Sequence, residues 1–160
     1  GALVKSFGFV TIWVEGTLAI AGTAESPAIL SSTYDDSLVG DTWGGVDRVP
    51  AIGDWRIDLQ AGGTLDFVHA DLRYAEIETT LLTGQAATLA VDQSALTDTR
   101  TAADRGTVQL TNNTFTRSPI RLENQARPLV QDNTSIDTVD AMFVYRAADL
   151  ADGPVLGIGR

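Results

Sequence analysis

Several residue types that build common functional sites are scarce in this chain of 160 residues. There is no cysteine, so disulfides and thiolate metal ligands are excluded. The one histidine, His69, excludes a site built from several imidazoles, and Lys5 is the only lysine. The chain has 11 Lys and Arg residues against 21 Asp and Glu residues, which gives a net charge of -10. This balance excludes nucleic-acid binding through a basic surface.

The sequence also lacks long apolar runs and regular helical patterns. Its longest apolar stretches are too short to cross a bilayer as a helix, so no membrane insertion is expected. No segment carries a convincing apolar stripe with the 3.6-residue period of a helix. The acidic residues are mostly Asp, which favours turns, whereas Glu favours helices. With 44% apolar residues, the composition predicts a folded domain with many turns and little helix.

One spacing recurs along the chain. An apolar residue that follows Thr or Pro is itself followed, seven positions later, by a second apolar residue. The four pairs are Leu65/Leu72, Leu89/Leu96, Val108/Phe115 and Leu129/Ile136. Their first members lie 24, 19 and 21 residues apart. A period near twenty that is carried by short apolar-x-apolar pieces is typical of a β-solenoid. The sequence therefore predicts an all-β solenoid with about 20–24 residues per rung, forming a single domain over residues 1–160.

Aligning the repeats predicts columns of side chains. One column beside the core consists of threonines, at Thr17, Thr64, Thr88 and Thr107. A second column lies at a corner and consists of His69, Gln93, Asn112 and Asn133. Stacked amides at such a corner can bond one another and satisfy turn backbone groups. For His69, which has no second histidine as a partner, this predicts corner hydrogen bonding in preference to catalysis or ligation.

Residues 33–54 interrupt the rhythm and form a long acidic loop inserted between rungs. The loop contains five aspartates, of which Asp35, Asp36 and Asp41 are the candidate ligands for Ca²⁺, a cation that prefers oxygen donors. The alternative is a solvated loop whose aspartates cap backbone N–H groups. Tyr34 and Trp43, in the same loop, are candidates for stacking on a sugar ring.

The alignment brings out no carboxylate pair suited to glycoside hydrolysis. Asp66 aligns with Ala90 one rung later, and Asp71 aligns with Ala95. Hydrolysis by paired carboxylates needs two acids on one face, separated by roughly 5–10 Å. The sequence therefore favours a chain without catalytic residues.

Part of the sequence resembles a known family. The runs EGTLAIAGTAESPAILSS, TYDDSLVGDT and VPAIGDWRIDLQAGGTLDFVHADLRYAE resemble a recurrent module of bacterial right-handed parallel β-helix proteins, which are usually large extracellular or surface chains. The resemblance covers residues 10–76 closely and 107–138 loosely. The residues that carry it in the first two runs are Gly16, Leu18, Gly22, Thr23, Pro27, Asp35, Asp36, Ser37, Gly40, Asp41 and Thr42. Those in the third run are Pro50, Gly53, Asp54, Trp55, Gly62, Gly63, Leu65, Asp66, Val68 and Tyr74.

Two departures from the family pattern affect what the resemblance implies. Where the family tends to have an N-G-D-G run after Asp41-Thr42, this chain has Trp43-Gly44-Gly45-Val46, which weakens an inherited metal loop. Arg56-Ile57 replaces the family's G-G after the tryptophan and leaves the fold intact. The resemblance still implies a right-handed parallel β-helix.

The resemblance implies an extracellular or cell-surface location in a bacterium, and with it a non-catalytic structural or adhesive module. One alternative is a protein that binds or cleaves polysaccharide, with its site near the 33–54 loop. Another is a subunit of a filament or larger assembly that forms through open solenoid ends. Solenoid ends need caps or neighbours. The expected partners are therefore further rungs or other subunits at the chain ends, together with polysaccharide.

Overall fold

The computed structural model describes residues 1–42, 44, 48–79, 85–138, 143–145 and 155–156. Over these residues the chain is all-β with parallel pairing, as predicted, apart from one short helix, α1, at Asp36–Val39. The strands are β1 Leu3–Ser6, β2 Val10–Val14, β3 Thr17–Ala21, β4 Ala28–Ser32, β5 Trp55–Leu59, β6 Thr64–Val68, β7 Ala70–Arg73, β8 Ala75–Thr79, β9 Thr88–Asp92, β10 Ala95–Thr97, β11 Arg100–Thr111, β12 Thr114–Thr116, β13 Ile120–Gln131, β14 Thr134–Ile136, β15 Phe143–Tyr145 and β16 Val155–Leu156.

The strands form two parallel sheets that nearly close around a shared core. The first sheet has the order β1-β4-β7-β10-β12-β14. The second sheet contains two series of paired strands, β2-β5-β8 and β3-β6-β9. The strands β11 and β13 are long enough to extend through both series, and they therefore join them into one sheet. In every pair a strand bonds to the equivalent strand of the next repeat. A complete repeat therefore contributes one strand to the first sheet and two strands, or one long strand, to the second.

The sequence distance between paired residues agrees with the predicted period. Trp55 pairs with Ala75, Leu65 pairs with Leu89, and Leu89 pairs with Val108. The pairing of Val10 with Trp55 spans a longer stretch, because residues 33–54 lie between β4 and β5. Equivalent positions therefore recur in register even though the repeats differ in length.

The core consists of the inward-facing members of each strand. Three of the four predicted apolar pairs are buried there, with exposed fractions of 0–1%: Leu65/Leu72, Leu89/Leu96 and Val108/Phe115. Burying one such side chain stabilises the fold by about 1.5–3 kcal/mol. Within the part of the chain described, no helix has the length and apolarity needed to cross a membrane.

The fourth predicted pair, Leu129/Ile136, is wrong by one residue. Val108 pairs with Pro128, so Pro128 and Val130 are buried, whereas Ile136 is 43% exposed. The last repeat is one residue shorter than the prediction assumed. Since side chains alternate across a strand, a shift of one residue moves each side chain to the opposite face. The threonine column is confirmed, because Thr17, Thr64, Thr88 and Thr107 pair in series.

Each strand of the first sheet from β7 to β14 lies between two residues with positive φ. The residues before the strands are His69, Gln93, Asn112 and Asp132, with φ of 48–56°. Those after the strands are Tyr74, Asp98, Arg117 and Asp137, with φ of 47–61°. A left-handed conformation costs a non-glycine residue roughly 1–2 kcal/mol, so the fold must hold these corners in place. The backbone N–H of Gln93 donates to the Thr111 carbonyl of the next repeat at 3.1 Å, and His69 and Asn112 donate likewise.

We call the left-handed residue before each of these strands the first corner. The residues that follow it, Ala70, Ser94, Asn113 and Asn133, bond across repeats, and all but the half-buried Asn133 are buried. The Ser94 N–H donates to Asn113 Oδ1 at 2.9 Å, and the Asn113 N–H donates to Asn133 Oδ1 at 2.9 Å. The predicted alignment of Asn112 with Asn133 is therefore wrong, and Asn113 is the equivalent of Asn133. The reason is the same one-residue difference in the length of the last repeat.

Candidate functional site

A groove of about 410 Å³ follows the first corner of the fold across four repeats. We call it the corner groove. Its length is lined by the left-handed residues His69, Gln93 and Asn112, with Thr23 and Pro27 in the β3–β4 connection at one end. Its other wall consists of outward-facing residues of the first sheet, namely Asp71, Ala95 and Thr114. The groove therefore presents imidazole, amide, hydroxyl and methyl groups in an ordered series.

The amide groups of the corner groove converge on Asp92. The Gln93 Nε2 group donates to Asp92 Oδ2 at 2.9 Å, and Asn112 Nδ2 donates to Oδ1 at 3.0 Å. A 2.6 Å hydrogen bond from Thr111 Oγ1 is the main reason why the pKa of Asp92 lies below its ordinary value, and burial opposes it. These contacts orient both amides. Within the described ranges, no residue donates to their amide oxygens or hydrogen-bonds the His69 imidazole.

Asp71 connects the corner groove to residues 33–54, which we call the acidic segment. Its carboxylate accepts Arg73 Nε at 3.1 Å and Nη2 at 2.7 Å, and this hydrogen bonding raises the pKa of Arg73. The same guanidinium lies 3.7 Å from Asp35 Oδ2 and 3.4 Å from Ser37 Oγ. Arg73 therefore neutralises the groove carboxylate and also holds the start of α1 against the first sheet.

Asp35, one of the expected Ca²⁺ ligands, is buried and caps the N-terminus of α1. It accepts Ser31 Oγ at 2.6 Å, and its second oxygen accepts the Ser37 N–H at 3.2 Å and Ser37 Oγ at 2.5 Å. Burial raises the pKa of Asp35, but the hydrogen bonds from Ser31 and Ser37 and the charge of Arg73 outweigh it, so the pKa lies below its ordinary value. Both carboxylate oxygens thus already have donors within the fold.

The other predicted ligands have separate surroundings. Asp36 is exposed in the first turn of α1, and Asp41 accepts the Gly44 N–H at 2.8 Å. Among the described residues, no three His, Asp or Glu side chains form a group that could hold a metal ion. Ca²⁺ binding by the segment stays a prediction from sequence. Asp54 is buried and accepts Ser32 Oγ at 2.8 Å and Arg48 Nη2 at 3.0 Å.

The predicted sugar-stacking residues differ in what the structure describes of them. Tyr34 is half-buried, and the Arg48 guanidinium lies 4.4 Å from the centre of its ring. Trp43 lies outside the described residues. Trp55 is buried, and its indole N–H donates to the Arg73 carbonyl at 2.9 Å, whereas Trp13 on β2 is 71% exposed.

The sequence identified His69, Gln93 and Asn112 as corner residues but did not identify the groove beside them. Among the described residues the amides bond Asp92 and not each other, and the side-chain hydrogen bonding predicted for His69 is not found. The sequence did not identify Asp71 and Thr114 as groove residues, because their positions depend on the turn between the two sheets. The sequence pattern that could have identified them is their alternation with the buried Leu72 and Phe115, which marks them as outward-facing. No family model, curated protein or solved structure matches this chain.

Proposed function

We propose that this chain is a stretch of a right-handed parallel β-helix and acts as a non-catalytic structural and adhesive module of a bacterial extracellular or cell-surface protein. The pairing of each strand with its equivalent one repeat later supports the β-helix. Right-handedness is supported by the strong preference of connections between parallel strands for that hand. The resemblance of residues 10–76 to surface β-helix modules supports the location.

The single observation that carries the structural role is that buried polar side chains hydrogen-bond the backbone of neighbouring repeats. Asn113, 1% exposed, accepts the Ser94 N–H and donates its Nδ2 group to the Val91 carbonyl at 2.8 Å. Buried Ser118 accepts the Thr99 N–H at 3.1 Å and donates to the Leu96 carbonyl at 2.9 Å. These side chains join successive repeats, so the interior is specialised for stacking repeats into a rigid body.

The buried carboxylates support the same role. Asp35 and Asp54 accept several hydrogen bonds within the fold, as described above. Glu76 lies between Arg56 and Arg100 on adjacent strands, with Arg56 Nη2 at 2.7 Å from its Oε2 atom. An acid–base pair for hydrolysis needs carboxyl groups that reach the substrate. Buried groups paired with arginine instead hold neighbouring strands together.

The exposed strand edges and apolar side chains of the first repeat support the proposed partners. Among the residues that the structure describes, strands β1, β2 and β3 each pair on one side, with β4, β5 and β6 respectively. The same repeat exposes the apolar side chains of Leu3, Val4, Phe7, Phe9, Val10 and Trp13. Open strand edges and exposed apolar groups favour association. We therefore assign further rungs or another subunit as the partner of this edge.

The proposal is tested with the purified chain and with cells that display it. A polysaccharide panel is incubated with the chain, and release of reducing ends and unsaturated sugars is measured. We expect no turnover, and any turnover above that of heat-denatured chain contradicts the non-catalytic role. Bacteria that display the chain should adhere to surfaces coated with polysaccharide or host matrix more strongly than the undisplayed strain. Equal adhesion by the two strains contradicts the adhesive role.

A further inference from the structure

We infer that the corner groove binds a linear, uncharged polysaccharide, with His69 as the central contact. This inference rests on the proposed adhesive role and names its ligand class and site. The groove crosses four repeats at the spacing of parallel strands, about 4.8 Å per repeat. Its chemical groups therefore recur at regular intervals, which suits an extended ligand made of repeating units.

The hydrogen-bonding groups of the groove suit hydroxyl groups. The Gln93 and Asn112 amide nitrogens donate to Asp92, which fixes the amide planes, while no residue in the described ranges donates to the two amide oxygens. A neutral imidazole offers one donor and one acceptor, and His69 uses neither within the described part of the chain. A hydroxyl can both donate and accept, so a sugar can satisfy each of these atoms. Ala95 and Pro27 add small apolar surfaces for the C–H faces of the rings.

The charges of the groove favour an uncharged ligand. The Asp71 carboxylate is paired with Arg73, and the Asp92 carboxylate accepts three side-chain hydrogen bonds. Neither group is therefore a free anion for a cationic ligand. The chain has a net charge of -10, which disfavours a polyanion such as a uronic-acid polymer.

The backbone at the groove disfavours a peptide. Peptides that bind as an added strand use the unpaired N–H and C=O groups of a sheet edge. At this corner the N–H groups of His69, Gln93 and Asn112 already donate to carbonyls of the next repeat, at 3.1–3.2 Å. The N–H groups that an added strand would need are therefore already used, and the side chains that line the groove are polar and short.

His69 has a left-handed backbone, with φ of 49°, although histidine is not favoured there as glycine is. Because of this left-handed backbone, glycine is a suitable substitution for His69. His69→Gly removes the imidazole and leaves a residue that adopts positive φ without strain, so the variant should fold at least as stably as the wild type.

Binding is measured by native gel electrophoresis in gels that contain the linear neutral polysaccharides glucomannan, mixed-linkage β-glucan or pullulan, with polygalacturonate and a casein digest as charged and peptide probes. We expect at least one neutral polysaccharide to retard the chain and His69→Gly to weaken this binding about tenfold, the effect of losing about one good hydrogen bond. Asp137→Gly is the matched control, because Asp137 has the same backbone conformation, with φ of 53°, at the other corner. It should bind within about twofold of the wild type.

Three outcomes overturn the inference: no neutral polysaccharide retards the chain, retardation is equal for wild type and His69→Gly, or only polygalacturonate or peptides bind. Circular dichroism and thermal melting confirm that each variant is folded. If displayed cells adhere but no polysaccharide binds, the inference fails and the proposed function stands. If polysaccharide binds through His69 and is also cleaved, the proposed non-catalytic function fails and the groove assignment stands.

Discussion

The amide oxygen of Asn113 accepts the backbone N–H of Ser94 at 2.9 Å, although the two residues belong to different repeats. The amide nitrogen of Asn113 donates in turn to the Val91 carbonyl at 2.8 Å, so one buried side chain satisfies two backbone groups at the corner. Because buried backbone groups without partners are costly, a sharp corner in this position needs such a side chain. Asn133 repeats the arrangement by donating to the Leu110 carbonyl at 2.7 Å.

Replacement of Asn113 by alanine should destabilise the chain by about 2–4 kcal/mol, since it leaves the Ser94 N–H and the Val91 carbonyl buried without partners. Urea denaturation followed by circular dichroism measures the change. Gln109→Ala is the control, because Gln109 is exposed on β11, and its effect should stay within about 0.5 kcal/mol. Equal destabilisation by the two substitutions would show that the corner bonds do not stabilise the fold.

Phe115 and Ile136 test the register of the last repeat. Phe115 is completely buried and pairs with Ser135, whereas Ile136 is 43% exposed and pairs with Thr116. Phe115→Ala should cost about 3–5 kcal/mol because it leaves a cavity in the core. Ile136→Ala should cost less than about 1 kcal/mol. If Ile136→Ala were as costly as Phe115→Ala, the register with Leu129 and Ile136 inward would be correct instead.

The sequence predicts the repeat well where the spacing is carried by residues of one kind. Leu65, Leu89 and Val108 follow threonines that pair in series, so the apolar period and the threonine column give the same register. At Leu129 the preceding residue is Pro128, and the apolar run PLV allows two registers. Only the backbone pairing of Val108 with Pro128 decides between them, because one residue of slip still leaves apolar side chains on both faces.

The acidic segment shows a different limit of sequence reasoning. A cluster of aspartates is compatible with oxygen ligands for Ca²⁺ and equally with caps for backbone N–H groups. Asp35 is a cap, as the alternative interpretation of the loop expected, and its donors Ser31 and Ser37 are local. The arginine that faces it is distant in sequence, because Arg73 reaches Asp35 from the next strand of the first sheet. Such contacts are set by the pairing of β4 with β7, which local sequence does not encode.

Asp35 should make the stability of the chain depend on pH. Its pKa in the folded chain lies below the ordinary value of 3.8, because the bonds from Ser31 and Ser37 and the charge of Arg73 together outweigh burial. A carboxyl with a lowered pKa stabilises the fold above its ordinary pKa, and this contribution is lost as the pH falls through the folded value. Urea denaturation between about pH 6 and pH 3 should therefore show a smaller loss of stability in Asp35→Asn than in the wild type. Ser37→Ala removes the hydroxyl bond to Asp35 and keeps the bond from the backbone N–H, so its loss should lie between the other two, and three identical slopes would contradict the assignment.

Arg48 should hold the acidic segment onto the first repeat. Its guanidinium bonds Asp54 Oδ1 at 3.0 Å and lies over two aromatic rings, 4.4 Å from the centre of Tyr34 and 5.4 Å from that of Phe9. Arg48→Ala removes all three contacts, so cleavage by thermolysin between residues 33 and 54 should become faster, by about fivefold, as local opening becomes easier. Arg48→Lys keeps the charge beside Asp54 and loses the planar group that stacks on the rings, so its cleavage rate should be intermediate. Arg121→Ala removes an exposed arginine paired with Glu123 on β13 and should leave cleavage of the segment unchanged. If Arg121→Ala accelerates cleavage as much as Arg48→Ala does, both substitutions destabilise the whole fold, and Arg48 does not specifically hold the segment onto the first repeat.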